Sequence, residues 1–357
     1  MRVLHLPQNI ASLPSHSVRY LRQIGVDASG LIFANTAVQS TAGIKVFATA
    51  GRSSQGKYLD QFAWFLQMAR LAARVDVIHW YYGRPILPHG FDLAWIKLLN
   101  KPALVEWMGS DIRQPEIEFT DNPYYTQAYH NGYEYAATET QAGSRQYQRQ
   151  FSRLGFACGT DRGLIQYIDR EAYPDSYYIP RRLILDDYPA AYPEPQVASP
   201  VVLHSPTAPV AKGTPAVLKA VGQVQAKHPF EFHLVEGLPR PQAMQLMQTA
   251  DILLDQFVLG DYGMAALEAM AFGKPVICYI KKSLADLYGP ELPIVNATQE
   301  TLAETLLALL QNPERRRELG EAGRAYVQKN ADMQVIAPRL LETYQAVIAA
   351  RRGNHGG

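Results

Sequence analysis

Residues 251–280 restrict the fold of this chain more than any other stretch, and they read DILLDQFVLGDYGMAALEAMAFGKPVICYI. The stretch begins with an apolar run of strand character, passes through a turn at residues 260–263, and continues in a segment rich in Ala, Met and Leu, which favour helix. A Gly-x-Pro stop and a second apolar strand follow. This order is the repeating unit of a parallel sheet covered by helices, so the sequence predicts an α/β fold.

Glu268 is the only charged residue between Asp261 and Lys274, and its neighbours one helical turn away are apolar. A carboxylate in such a setting requires hydrogen-bond donors, and the vicinal hydroxyls of a ribose are suitable donors. The glycine turn also presents bare backbone N–H groups at a helix start, where phosphate is bound. The other interpretation is a Glu on an exposed helix edge, and the residues alone leave both open.

The same stretch resembles the donor-binding signature of retaining glycosyltransferases of the GT-B fold, especially family 4 (glycosyl transferases group 1). That signature is a Glu, seven residues, a second Glu, and then Ala-Met-Ala-x-Gly-x-Pro-Val. The positions that match are Gly263, Glu268, Ala269, Met270, Gly273, Pro275 and Val276. The resemblance implies that Glu268 binds the nucleotide ribose. Gly260 replaces the first Glu, which contacts the donor sugar in the family, and Asp261 or Asp255 is a candidate substitute.

A second loop, residues 204–214, follows an apolar strand and precedes a helix. Lys212 lies just before that helix, where a cation and backbone N–H donors form a cradle for a diphosphate. In the family this loop carries an Arg and, five residues on, a Lys that neutralise the departing diphosphate. Lys212 matches the Lys, Thr207 stands at the Arg position, and the alternative for Lys212 is a surface lysine. The candidates for the missing cation are Arg181, Arg182, Lys281 and Lys282. The predicted donor-binding residues of both loops are Thr207, Gly213, Gly260, Asp261, Tyr262, Gly263 and Met264.

Two strands of the first half end in polar residues. The strand at residues 75–79 ends at His79, and the strand at 103–107 is followed by Met108, Asp111 and Arg113. Ligands bind at the carboxyl ends of parallel strands, so these polar residues are candidates for the cleft. The resemblance implies that the first domain binds the acceptor, which places His79 and Arg113 on the acceptor side and Asp111 among the catalytic residues. A hydrogen-bonded structural histidine and a simple Asp111–Arg113 surface pair are the alternatives. Met108 replaces a histidine that the family often carries.

Two helices of the first half carry patterns of their own. Phe62, Phe65, Leu66 and Ala69 have helical spacing and are predicted to face the core. Residues 144–154 place Arg145, Arg149 and Arg153 at helical spacing beside aromatic residues. Such a basic face can contact anionic lipid, although a solvated face is the commoner arrangement.

Composition excludes several classes of protein. The 357 residues suffice for two domains, and a formal charge of +1 gives no basic surplus for nucleic acid. The opening residues lack the pattern of a signal peptide, and no apolar run approaches the roughly 18 residues of a membrane span. Cys158 and Cys278 are predicted to pack as small hydrophobic residues in a reducing compartment. No GxGxxG follows the first strand, which argues against nicotinamide binding. We therefore expect a cytoplasmic protein that can lie against the inner face of the plasma membrane.

A proline-rich region at residues 180–200 has the composition of a linker. The expected organisation is an amino-terminal Rossmann-like acceptor domain (1–180), a Rossmann-like nucleotide-sugar domain (181–330), a helix returning to the first domain (331–349) and a disordered tail (350–357). The resemblance implies that the two domains face a central cleft, as in GT-B proteins.

The resemblance implies a retaining, hexosyltransferase-like enzyme that moves a sugar from a nucleoside diphosphate sugar to a glycan or a lipid-linked saccharide. Lys212, Glu268 and Asp111 are the predicted catalytic residues. The family implies no metal requirement, and the sugar nucleotide is a substrate rather than a tightly bound cofactor. Nothing specific supports an epimerase or a phosphorylase of the same superfold. The alternative of another class is a non-catalytic sugar-nucleotide-binding subunit of a glycosylation complex, because family positions are altered at Gly260, Thr207 and Met108.

Overall fold

The computed structural model describes residues 1–48, 54–195 and 197–353. The chain forms two compact units, each built on one parallel sheet with helices, which confirms the predicted α/β class. Unit 1 comprises Met1–Gln114, Thr138–Ile184 and Met333–Gly357, and unit 2 comprises Pro115–Ala137 and Leu185–Asp332. In the part of the chain that the structure describes, no helix is both long and apolar enough to span a bilayer.

The sheet of unit 1 has seven parallel strands in the order β3-β2-β1-β4-β5-β6-β7. The strands are β1 (Arg2–Pro7), β2 (Asp27–Ala34), β3 (Lys45–Ala48), β4 (Val77–Tyr81), β5 (Ala103–Trp107), β6 (Phe156–Thr160) and β7 (Tyr177–Tyr178). The helices are α1 (Leu13–Gln23), α2 (Ser54–Ala72), α3 (Phe91–Leu98), α6 (Gln141–Arg153) and α14 (Met333–Gly353). β1 and β4 are hydrogen-bonded neighbours, so the chain reverses its direction of winding between them.

The buried face of α2 differs from the prediction. Trp64, Met68 and Ala72 have no exposed surface and form the core side of the helix. Phe62 and Leu66 are instead 60% and 54% exposed, so the predicted core stripe is wrong at these positions. The two stripes are offset by two residues, which is more than half a turn of helix, so they lie on different faces.

The sheet of unit 2 has five parallel strands in the order β12-β11-β10-β8-β9. The strands are β8 (Val201–His204), β9 (Glu231–Leu234), β10 (Ile252–Leu254), β11 (Val276–Cys278) and β12 (Val295–Asn296). The helices are α4 (Pro115–Asp121), α5 (Pro123–Tyr129), α7 (Pro209–Lys212), α8 (Thr214–Gln225), α9 (Arg240–Thr249), α10 (Met264–Phe272), α11 (Lys282–Tyr288), α12 (Leu302–Leu310) and α13 (Pro313–Asn330). Between β8 and β10 the winding reverses, which makes the carboxyl ends of these two strands the expected ligand-binding edge.

The segment Pro115–Ala137, with α4 and α5, groups with unit 2, although the sequence placed it within the expected domain 1–180. Asn122 donates from Nδ2 to the carbonyl of Val258 at 2.9 Å. Tyr125 and Tyr133 of this segment share a small apolar cluster with Ala211. The segment therefore supports the loops that follow β8 and β10.

The final helix, α14, belongs to unit 1. Ala337, Leu340 and Tyr344 are buried in the same core cluster as Val3 and Val77 of the sheet. The helix continues to Gly353, so the first four residues of the expected tail, 350–353, are helical. Residues 354–357 of that tail lie outside the described residues.

Candidate functional site

Lys212 and Asp255 form an ion pair at the carboxyl edge of the second sheet. Lys212 is the last residue of α7, which follows β8, and Asp255 comes directly after β10. The distance from Lys212 Nζ to Asp255 Oδ1 is 2.9 Å, and Asp255 is almost completely buried. Because these two loops flank the reversal of winding, the pair lies where ligands bind in sheets of this type.

Gly263 completes this arrangement at the start of α10. Its backbone N–H donates to Asp255 Oδ2 at 2.6 Å. A Cβ at this position would lie 2.8 Å from Lys212 Nζ and 3.3 Å from each carboxylate oxygen of Asp255. A side chain at position 263 would therefore displace the ammonium group of Lys212 and crowd the carboxylate of Asp255. The carboxylate of Asp255 thus contacts both Lys212 and the N–H of Gly263, the two groups that the sequence assigned to a diphosphate.

The loop after β8 is held against β10 by several short contacts. Phe257 donates its backbone N–H to the carbonyl of Lys212 at 3.0 Å. Gly213 has a φ of +76° and caps α8, and a Cβ there would lie 3.1 Å from Phe257 Cβ. Glu134 accepts the backbone N–H groups of Val210 and Ala211 at 2.7 and 2.9 Å. Lys212 is therefore fixed in position rather than being an ordinary surface lysine.

His204, the last residue of β8, links the same elements. Its Nδ1 donates to the carbonyl of Leu254 at 2.8 Å, and its Nε2 lies 2.9 Å from the hydroxyl of Thr214. Burial lowers the pKa of His204 to about 4, so the imidazole is neutral at pH 7. Thr207, at the position of the family Arg, is exposed in the loop that follows.

The turn at residues 260–263 is closely packed at its first position. Gly260 has a φ of +69°, and a Cβ there would lie 3.0 Å from both Asn122 Nδ2 and Lys281 Cβ. Asp261 accepts from the backbone N–H of Tyr262 at 2.8 Å and from the hydroxyl of Tyr288 at 2.9 Å. The carboxylate of Asp261 thus stabilises the turn. Tyr262 is buried, whereas Met264 is half-buried at the start of α10.

Glu268 is buried and paired, so it does not lie on an exposed helix edge. Arg240 Nη2 approaches Glu268 Oε1 at 2.5 Å, and the hydroxyl of Tyr188 donates to the same oxygen at 3.1 Å. Arg240 also donates to the Tyr188 hydroxyl at 2.9 Å. Five residues separate Glu268 from Gly263, which is roughly 7.5 Å along α10. Glu268 therefore lies on α10, the helix that begins next to Gly263, but it does not contact Lys212 or Asp255.

The proposed substitutes for the family Arg have other partners. Arg182 is fully buried against Glu106, and Arg181 pairs with Asp161 at 3.0 Å, both within unit 1. Lys281 is buried between Glu118 and Asp121, and Lys282 pairs with Asp286 on the surface. Each of these four cations already has an acidic partner of its own, and the source of the missing family charge stays a prediction.

Asp111 organises a loop of unit 1. Its carboxylate accepts the backbone N–H groups of Gly83, Met108 and Gly109 at 2.7 to 2.9 Å. Burial raises the pKa of Asp111, while these donors act in the opposite direction. Arg113 Nη1 contacts Glu139 at 2.5 Å, so the alternative of an Asp111–Arg113 surface pair is also wrong.

His79 has no exposed surface, which corresponds to the structural alternative for this residue. Its Nδ1 lies 2.8 Å from the hydroxyl of Tyr344, and its Nε2 lies 2.9 Å from Glu106 Oε2. Glu106 in turn binds Arg182 through both oxygens at 2.8 and 2.9 Å. This buried network joins β4, β5 and α14 within unit 1, and His79 is not positioned to contact an acceptor.

Sequence reasoning missed Arg240 and the central position of Asp255. Arg240 is the first residue of α9, just beyond the carboxyl end of β9, and a cation at such a position was a usable signal. Asp255 was named only as a substitute for the first Glu of the signature. Its contacts with Lys212 and Gly263 depend on the pairing of β8 with β10, which the sequence does not display.

One family model and one curated relative, both of glycosyltransferases, match part of this chain. The family model described as "Glycosyl transferases group 1" matches residues 225–326. Over 121 residues the chain is 26% identical to the MMP alpha-(1->4)-mannosyltransferase of Mycolicibacterium hassiacum, which is 33% of this chain and 29% of that protein. The chain thus aligns with less than a third of the length of this curated relative.

Solved structures are similar over nearly the full length. Sucrose-phosphate synthase from Thermosynechococcus elongatus has a TM-score of 0.62 at 14% identity, with 98% of this chain and 100% of that chain covered. HepE of Anabaena, solved in complex with UDP, has a TM-score of 0.56 at 14% identity, with 97% and 100% covered. The fold is therefore that of GT-B glycosyltransferases. The match of residues 225–326 to the group 1 model and the GT-B fold both agree with the resemblance.

Proposed function

We propose that this protein is a retaining glycosyltransferase that moves a hexosyl group from a nucleoside diphosphate sugar to a glycan or a lipid-linked saccharide. The observation that carries the proposal is the group formed by Lys212, Asp255 and Gly263 at the reversal point of the second sheet. A lysine and a helix N-terminus that converge at such an edge are suited to a diphosphate. The match of residues 225–326 to a glycosyltransferase family supports the same function.

In the proposed reaction, Lys212 and the N–H of Gly263 bind the diphosphate in place of Asp255. Negative charge grows on the diphosphate as the bond to the sugar breaks, and fixed donors aimed at that charge lower the barrier. No protein nucleophile is needed in this scheme, because the departing phosphate oxygen accepts the proton of the attacking hydroxyl. The positive charge required comes from the protein, so the reaction proceeds without a divalent metal and without a tightly bound cofactor.

Glu268 is proposed to bind the ribose of the donor. Both described contacts of its carboxylate, from Arg240 and Tyr188, use Oε1. Oε2 is therefore the oxygen that accepts a ribose hydroxyl, while Arg240 orients the carboxylate through Oε1. UDP is the first nucleotide to test, because the similar protein HepE was solved in complex with UDP.

Asp111 and Arg113 are proposed to shape the acceptor side rather than to react. Asp111 holds the loops after β4 and β5 through three backbone N–H groups, and Arg113 is oriented by Glu139. An acceptor hydroxyl then meets a fixed loop instead of a free carboxylate. A lipid-linked acceptor would bring the protein to the inner face of the plasma membrane.

A non-catalytic sugar-nucleotide-binding subunit is the second candidate. The specific observation in its favour is Gly260, where Asn122 and Lys281 fill the space that the first Glu of the signature would need. Calorimetric titration with UDP, GDP and ADP, followed by donor turnover assays with the matching sugar nucleotides, separates the two. Turnover of any donor excludes the subunit, and failure of all three nucleotides to bind would overturn both candidates.

A further inference from the structure

An apolar groove is exposed on the surface of unit 1 between α2 and α3. Its volume is about 510 Å³. Its lining is almost entirely hydrophobic and consists of Phe62, Phe65, Leu87, Pro88, Phe91, Ala94, Trp95 and Leu98. Phe91 and Leu98 are 63% and 73% exposed, and Tyr58, Leu59 and Leu66 extend the apolar surface along α2. Large contiguous patches of this kind on a soluble protein mark interaction sites.

The groove is part of a folded and fixed surface. Phe65 and Trp95 pack edge to face with ring centroids 5.8 Å apart, which joins α2 to α3. Trp64 and Met68 anchor the other side of α2 in the core. The exposed Phe and Leu side chains therefore remain at the surface because the buried side of each helix is already filled.

Cations border this apolar surface on the side of α6. Lys97 of α3 donates to the backbone carbonyl of Arg153 at 3.0 Å, and Arg84 stacks on Tyr147 with its guanidinium carbon 3.8 Å from the ring centroid. These contacts place α6 beside α3. Arg145 and Arg153 are exposed, whereas Arg149 pairs with Asp169 and Glu171.

The three helices α2, α3 and α6 carry a surplus of positive charge. α2, α3 and α6 together contain six Lys and Arg residues and two Asp residues, a formal charge of +4, whereas the whole chain has +1. One of the two acids, Asp92, is buried and accepts the backbone N–H groups of Ile86 and Leu93. An apolar face bordered by cations is complementary to a bilayer that contains anionic lipid, whereas a second copy would bring two like-charged surfaces together.

We propose that the α2–α3 groove and the basic side of α6 form a docking surface for an anionic lipid bilayer. Phe62, Leu66, Phe91 and Leu98 enter the boundary between headgroups and acyl chains, and Lys97, Arg145 and Arg153 lie over the lipid phosphates. The inference deepens the proposed function, because it holds the protein where a lipid-linked acceptor is found. It is nevertheless independent of the nucleotide site, which belongs to unit 2.

The test is flotation of the full-length protein with vesicles of phosphatidylcholine alone or of an equal mixture of phosphatidylcholine and phosphatidylglycerol. Two double variants are tested. Phe62→Ser with Leu66→Ser removes apolar surface, and Lys97→Gln with Arg153→Gln removes positive charge. A matched control, Leu218→Ser with Lys227→Gln, changes an exposed apolar residue and an exposed cation of unit 2. Affinity for UDP is measured for every protein.

We expect the wild type and the control to float with the mixed vesicles and not with phosphatidylcholine alone. Each double variant is expected to bind the mixed vesicles about tenfold more weakly, and the wild type to lose binding as salt increases. UDP affinity should be the same in all four proteins. A wild type that floats with the mixed vesicles but binds none of UDP, GDP and ADP would refute the nucleotide site and leave the docking surface standing.

Three outcomes would overturn the docking surface. The first is a wild type that binds neither kind of vesicle. The second is flotation of the Phe62→Ser and Leu66→Ser variant at the level of the wild type. The third is a dimer, measured by light scattering, that the same variant converts to a monomer without any effect on vesicles, which would assign the groove to a second copy of this chain.

Discussion

Lys212 Nζ lies 2.9 Å from Asp255 Oδ1, although 43 residues separate the two in sequence. The same carboxylate accepts the N–H of Gly263, so one acidic residue holds a cation and a helix start together. In the free protein Asp255 satisfies these groups, and a diphosphate presents oxygens of the same type with more charge. If the proposed function is correct, the pair therefore links the stability of the free protein to its affinity for the nucleotide.

Replacement of Lys212 by alanine should lower both stability and nucleotide affinity. The loss of a charge-assisted contact should weaken UDP binding by about 10- to 100-fold. Unfolding should become about 1–3 kcal/mol easier, because Asp255 remains buried without its counter-ion. Thermal unfolding and calorimetry measure the two effects. Adding Asp255→Ala to Lys212→Ala should restore much of the stability without restoring affinity, and equal losses in the single and double variants would contradict this account.

Replacement of Glu268 should affect the nucleoside and not the diphosphate. Glu268→Gln preserves the shape of the side chain but removes the charged acceptor, so UDP affinity should fall about tenfold. Affinity for inorganic pyrophosphate should stay unchanged, whereas Lys212→Ala should weaken both ligands. Competition calorimetry with UDP and pyrophosphate gives the comparison. Parallel loss of both ligands in Glu268→Gln would mean that Glu268 acts through the stability of α10 and not through the ribose.

Restoring the family residue at position 260 should damage the protein. Gly260 has a φ of +69°, which costs a side chain about 1–2 kcal/mol, and contact with Asn122 and Lys281 adds about 1–3 kcal/mol. Gly260→Glu should therefore unfold at a lower temperature without gaining activity. Gly237→Ala is the control for stability, because Gly237 has a φ of +66° and no atom within 4 Å of its Cβ position. The variant to compare with this control is Gly260→Ala. If Gly260→Ala and Gly237→Ala have similar melting temperatures, the packing around Gly260 is loose.

Stability should decrease as the pH falls from about 6.5 to 4. Burial holds the pKa of His204 at about 4, below its ordinary value of 6.5, so over this interval the unfolded chain binds a proton that the folded chain does not. The contribution is up to about 3 kcal/mol, present above pH 6.5 and lost toward pH 4. Burial also lowers the pKa of His5 and His79, so both act in the same direction. Melting temperatures across this range should vary less in His204→Gln than in the wild type, and an unchanged slope would exclude His204 as a source.

Removal of divalent metal should leave sugar transfer unchanged. In the proposed mechanism the charge on the departing diphosphate is balanced by Lys212 and by the N–H groups at the start of α10. Initial rates measured with EDTA and with added Mg²⁺ should therefore agree for the wild type. A rate that disappears in EDTA and returns with Mg²⁺ or Mn²⁺ would show that the protein supplies too little of this charge.

Local patterns in the sequence were sufficient for the strands of the second sheet and for the two loops that carry Lys212 and Gly263. The apolar runs 201–203, 252–254 and 276–280 predicted strands because short apolar segments bounded by turns bury both faces in a parallel sheet. Gly263 and Lys212 were found by their place at helix starts, which depends on residues close to them in sequence. The α/β class follows from the same local order of elements.

Only the tertiary structure decided which groups face each other. Glu268 contacts Arg240 and Tyr188, which are 28 and 80 residues away in the sequence. A local sequence pattern cannot identify partners at such separations. The helix α2 carries two apolar stripes, and the core can cover only one of them, so burial of Trp64 left Phe62 and Leu66 in solvent. Hydrophobic periodicity shows that a face is apolar, but the fold determines which apolar face is buried, because the same burial free energy is available to either.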